Sequence, residues 1–102
     1  MAKKTQTELL EAVLVPRFTA DAQRWLDDFA RTREYRDIFT ATTYANSGIP
    51  QYKAEADYCI SLRDATWVAL YAYLGEVATG QRPIPSSFQE IVPELPTPAW
   101  PE

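Results

Sequence analysis

The chain has 102 residues, 46% apolar and 24% charged, with a formal net charge of −4 and no histidine. That balance fits one globular domain with a modest core and excludes a chain disordered throughout. The acidic balance argues against nucleic acid as a partner, because phosphate contacts need a basic surface, and the short Lys3-Lys4 start reads as a solvated terminus.

Histidine is the commonest metal ligand and general base, so its absence weakens both readings. A lone cysteine, Cys59, cannot form an internal disulfide, which fits a reducing compartment or indifference to redox state. The N-terminal stretch carries acids inside its apolar part and shows no small-residue cleavage site, unlike a signal peptide. No apolar run approaches the roughly 20 residues of a membrane span. The expectation is a protein made and kept in soluble form.

In chain order, "TQTELLEAVLVP" reads as a short helix. Leu9, Leu10, Val13 and Leu14 lie at helical spacing, Glu8 suits the helix start, and Pro16 is expected to end it. "FTADAQRWLDDFARTREY" reads as a second helix, with Thr19 as N-cap. Ala22, Trp25, Leu26, Phe29 and Ala30 form its buried stripe, and Asp27 and Asp28 point away toward Arg24 or Arg31. A third, short helix is predicted from about Asp37 to Ala45. "NSG" should stop it, with Asn46 or Gly48 in the left-handed conformation.

Pro50 suits the first turn of the longest helix, predicted over about Gln51 to Val77 and roughly 40 Å long, with Gly80 beyond its end. Its first half is amphipathic, with Tyr52, Ala56, Cys59, Ile60 and Arg63 on or near one stripe. Its second half, "ATWVALYAYL", is apolar nearly all round and so is expected to be buried on all sides, within the fold or against partners. Six of the eight prolines follow Gln81. Ser87 and Glu90 match a capping box, so "SFQEIV" is predicted to form a turn or two of helix, stopped by Pro93. The remainder reads as extended chain whose Ile84, Phe88, Ile91, Val92, Leu95 and Trp100 pack on the domain or on a neighbour.

No chemical constellation stands out. Cys59 falls on an apolar helical face and reads as core rather than nucleophile. Asp27 and Asp28 are adjacent and diverge on a helix, and Glu55 and Asp57 are too close in sequence to share a face. No cofactor or metal is expected from any spacing. Tyr52, Tyr58, Trp67, Tyr71 and Tyr73 read as core or protein interface. Tyr71 and Tyr73 point to different sides, which favours a protein partner. Arg63 and Asp64 allow two readings. Both side-chain ends reach solvent, with Arg63 over Trp67, or Arg63 forms an inter-helix pair, for example with Asp28 or Glu34, that fixes docking.

These pieces, in order, resemble a known family. They are "WLDDFA", "REYRDIFTATTYANS", "EADYCISLRDATW" and "GQRPIPSSFQEIVPELP" followed by "WP". The family is a helical domain of unknown function in proteins of tailed bacteriophages and prophages, often attached to or encoded near tail and tail-fibre proteins. Arg63-Asp64, Ala65, Trp67, Gly80, Arg82-Pro83-Ile84-Pro85 and Leu95-Pro96 stand in the family's places, and Leu62 departs from its usual Trp. The similarity spans roughly Ala20 to Pro101. It implies a phage tail context and no catalytic residue.

The expectation is therefore an all-α protein, a small helical bundle around one long central helix with a Pro-rich extended C-terminal tail. Residues 1–17 form an N-terminal helix or arm, 18–80 the helical domain and 81–102 the tail. It is expected to act without enzymatic activity or cofactor, as a virion component of the phage tail tip, baseplate or tail-fibre attachment region, docking on other tail proteins in several copies. Arg63, Asp64, Trp67, Tyr71, Tyr73 and Trp100 are the expected interface. The alternative is an assembly chaperone for tail or tail-fibre proteins that is not retained in the virion.

Overall fold

Apolar residues at helical spacing wind most of the chain into helix, and what varies is how each run starts and stops. The structure, a computed structural model, describes Glu8 and residues 10–102. A π-helical turn (Leu10–Leu14) leads directly into α1 (Val15–Arg31). A short α2 (Ile38–Thr42) continues as a 3-10 turn (Thr43–Asn46), and α3 (Pro50–Ala78) is the long helix. Two 3-10 turns, Phe88–Glu90 and Val92–Glu94, punctuate the tail. The fold is all-α around one long helix.

Pro16 does not end a helix. It sits in the first turn of α1, directly after the π turn, where proline's fixed φ suits a helix start. Thr19 is accordingly inside α1, where its hydroxyl donates to the Pro16 carbonyl at 3.0 Å. The part of the predicted first helix that falls on residues 5–7 and 9 lies outside the described residues. Asp37 caps α2, accepting from the Thr40 N–H at 2.7 Å, and that bond holds its carboxyl below the usual carboxylate range. Asp27 does not point away as expected: its carboxylate accepts from the Ile38 N–H at 3.0 Å and fastens α2 to α1. "NSG" turns without a left-handed residue, because Ser47 is extended and its hydroxyl accepts from the Ile49 N–H.

Positive φ occurs, among the described residues, at Glu34 and Gly80. Both end a helix in the same way. Tyr35 N–H bonds to Ala30 O and Glu34 N–H to Arg31 O, and Gln81 N–H bonds to Glu76 O and Gly80 N–H to Val77 O. Each is the paired bond set of a helix end closed by a left-handed residue. Glycine takes that conformation freely at position 80, whereas Glu34 is strained by its Cβ. Glu34→Gly is expected to raise the unfolding free energy by about 1 kcal/mol in urea titration.

Two apolar clusters flank α3. One gathers Leu26 and Ala30 of α1, Ile38 and Ala41 of α2, and Cys59 and Leu62 of α3. The other gathers Leu10, Phe18 and Ala22 with Leu70, Tyr73, Leu74 and Val77, and is closed by Phe88, Ile91 and Leu95 of the tail. The late part of α1 meets the early part of α3, and the early part of α1 meets the late part, so the two helices run antiparallel. Trp25 and Trp67 pack against both clusters. The result is elongated, 59 × 23 × 19 Å, with a radius of gyration of 16.2 Å against roughly 13 Å for a compact chain of this length. Burial pushes the Cys59 thiol up to about 11, followed by the nearby Glu55 charge.

The tail is a strap across both clusters. Arg82 pairs with Glu76 at 2.8 Å and with Glu94, and lies 4.1 Å from the centre of the Tyr73 ring. Pro93 does not stop the tail's helical turns but opens the second of them. Ser87 makes no capping bond. Glu90 reaches back to the hydroxyl and N–H of Ser86 and to the backbone N–H of Ser87, so the glutamate half of the box forms without the serine half. Beyond Leu95 the chain runs extended to Trp100, which stacks on Phe29 at 4.3 Å and donates from Nε1 to the Thr32 hydroxyl at 2.8 Å.

Among the described residues, one buried side-chain polar atom is left over. Thr66 of α3 is fully buried and its hydroxyl has no hydrogen-bond partner. Valine has the same shape without the hydroxyl. Thr66→Val is expected to add about 1 kcal/mol of stability, read from the same urea titration.

Candidate functional site

Polar chemistry converges between the end of α1 and the start of α3. Glu55 is 3% exposed, one step up the buried stripe of α3 that continues through Cys59, Leu62 and Thr66. Its carboxylate pairs with Arg33 Nη1, accepts from the Tyr35 hydroxyl at 2.7 Å, and has Gln51 Nε2 at 3.4 Å. The left-handed turn at Glu34 makes this possible. It reverses the chain between Arg33 and Tyr35, so that two consecutive contacts reach the same carboxylate. Burial, and then the hydrogen bond to Glu55, push the Tyr35 phenol well above the usual tyrosine range.

Aromatic rings extend outward from this centre. Tyr35 and Tyr44 have ring centroids 5.6 Å apart at 55°, and Tyr44 and Tyr52 are 5.6 Å apart at 66°. On the other side Tyr35 and Tyr58 lean on Trp100, whose ring also carries the Arg33 guanidinium at 5.3 Å. A cavity of about 370 Å³ lies among Arg33, Glu34, Gln51, Glu55 and the three tyrosines 35, 44 and 52. A second, of about 460 Å³, shares Arg33, Gln51 and Glu55 and reaches Ala54 and Pro101. Reading the sequence missed this centre. The available signal was the position of Glu55 four residues before Cys59, which puts a carboxylate in register with the apolar face.

The expected interface residues are dispersed. Arg63 and Asp64 pair with each other, Nε and Nη2 at 3.1 and 3.0 Å from one carboxylate oxygen. Neither Asp28, which pairs with Arg31, nor Glu34 takes part, and the Trp67 ring carries Tyr71 at 6.2 Å. Tyr71 is 54% exposed, whereas Tyr73 is buried beneath Arg82. Trp100 is engaged within its own chain, anchoring the tail. The second half of α3 is not buried on all sides: Val68 is 71% exposed, and Ala65, Ala72 and Gly75 share that open face.

Among the described residues, no group of three or more histidine, cysteine, aspartate or glutamate side chains is placed to hold a metal ion. No described helix is long and apolar enough to cross a membrane. Comparison with known proteins finds no match among protein-family models, curated proteins or solved structures.

Proposed function

We propose that this chain is a docking component of a bacteriophage tail, at the tail tip, baseplate or tail-fibre attachment region. The observation that carries docking is the uncovered apolar face of α3, formed by Ala65, Val68, Tyr71, Ala72 and Gly75. Gly75 adds to it: an added Cβ there would meet nothing within 4 Å, and glycine inside a helix costs about 1 kcal/mol against alanine. The fold has no need of it, while close approach of another backbone does. Repeated copies would bring such faces together, and Arg63 and Asp64, at the start of the face, would orient the partner.

The tail context rests on the sequence resemblance over roughly Ala20 to Pro101. Mass spectrometry of purified phage particles tests it. Presence in intact particles is the expected result, and presence only in infected-cell extracts with unassembled tail or fibre protein would replace it with the chaperone reading. Val68→Glu should leave the melting temperature unchanged and abolish incorporation into particles. Normal incorporation of that variant would remove the α3 face from the mechanism.

A further inference from the structure

We propose that the cavity beside Glu55 is a binding site for an alkylammonium group, either a small free amine or the end of a lysine side chain. The proposal does not depend on the tail context. Three tyrosines from three segments wall the cavity. Tyr35 follows α1, Tyr44 belongs to the 3-10 turn and Tyr52 to the first turn of α3. Adjacent rings are inclined at 55° and 66°, so their faces cannot all be satisfied by stacking on one another. Aromatic faces carry negative potential and attract a cation lying within about 6 Å of the ring centre.

The charges agree with the rings. Glu34 and Glu55 against Arg33 leave the lining one unit negative. The Arg33 guanidinium is already committed, to the Glu55 carboxylate on one side and the Trp100 face on the other. An anion would therefore meet two carboxylates and three ring faces with no uncommitted cation, whereas an ammonium would meet the ring faces, the Glu34 carboxylate and a Glu55 carboxylate shared with Arg33, Tyr35 and Gln51. A volume of about 370 Å³ is at the lower end for small-molecule sites and suits a short alkyl chain.

The test is solution NMR of the tyrosine rings, with n-butylammonium chloride and sodium butyrate titrated into separate samples of the full chain. Saturable shifts of Tyr35, Tyr44 and Tyr52 with the ammonium, with a dissociation constant on the order of millimolar, and none with butyrate, are expected. Tyr44→Leu and Tyr52→Leu should each weaken binding about three- to tenfold, because they remove one ring face. Both side chains are partly exposed, so the variants keep the fold, which an unchanged melting temperature verifies. Tyr71→Leu, outside the cavity, should change nothing. Nα-acetyl-lysine methylamide distinguishes the sources: tighter binding than n-butylammonium assigns a lysine side chain, and weaker binding a free amine. Absence of saturable shifts, equal or tighter binding of butyrate, or indifference to both cavity variants overturns the site.

Discussion

Arg33→Ala is expected to lower the unfolding free energy by about 2 kcal/mol, and Arg33→Met combined with Glu55→Leu to recover most of that loss. The reason is the asymmetry of the pair. Glu55 has a side chain 4% exposed and Arg33 one 40% exposed. Removing the arginine leaves a buried carboxylate held by the Tyr35 hydroxyl and a distant Gln51 amide, and charge burial without a cation is costly. A fully buried pair would lose about 3–5 kcal/mol, and the solvent around Arg33 discounts that figure. The lost contact with the Trp100 ring adds a little. The double replacement removes both charges and fills the space with apolar atoms, so no ion is stranded. Urea unfolding of Arg33→Met, Glu55→Leu and the double variant reads the coupling directly. Simple addition of the two single effects would mean that solvent, not Arg33, satisfies Glu55.

Ile91→Ala should cost about 3 kcal/mol, as much as a core truncation within α1 or α3. Sequence position places Ile91 in a proline-rich tail, but it is fully buried among Leu10, Phe18, Leu70 and Val77 of the second cluster. The cavity left by three missing carbons cannot collapse easily, because Pro93, the Phe88 turn and the Arg82 pairs hold the backbone on both sides. For a domain whose total stability is of order 5–15 kcal/mol, such a loss is a large fraction. Thermal unfolding should show one cooperative transition at a lower temperature, since a tail merely resting on a finished domain would give almost no shift.

Much of the architecture is legible in the residues. The stripe Ala22, Trp25, Leu26, Phe29 and Ala30 repeats at helical period, and Pro50 and Gly80 bracket α3 because those two residues mark helix starts and ends by backbone geometry alone. Local rules fail where another local geometry competes. Pro16 marks a start and not an end because it falls in the first turn of α1, and a glutamate occupies the left-handed position that glycine or asparagine would signal. The candidate site was illegible for a different reason. Arg33, Tyr35, Tyr44 and Glu55 are ordinary surface residue types, brought together by the reversal at Glu34, and no spacing rule encodes that reversal. The apolar second half of α3 exposes the opposite limit: composition reported its hydrophobicity, but α1 and the tail cover only one side.

The two clusters lie at opposite ends of an unbroken 29-residue helix and share Trp25 and Trp67. That arrangement makes the molecule a rod with two grips joined by a pair of tryptophans rather than one centred core. The grip at the α2 end is sealed by Trp100, the last strap residue to engage, and the grip at the far end by Phe88, Ile91 and Leu95. Release of the final few residues would loosen the Glu55 end and leave the far end closed. The amine cavity and the open face of α3 are thus set apart along one helix, with Trp67 packed between the two clusters that support them.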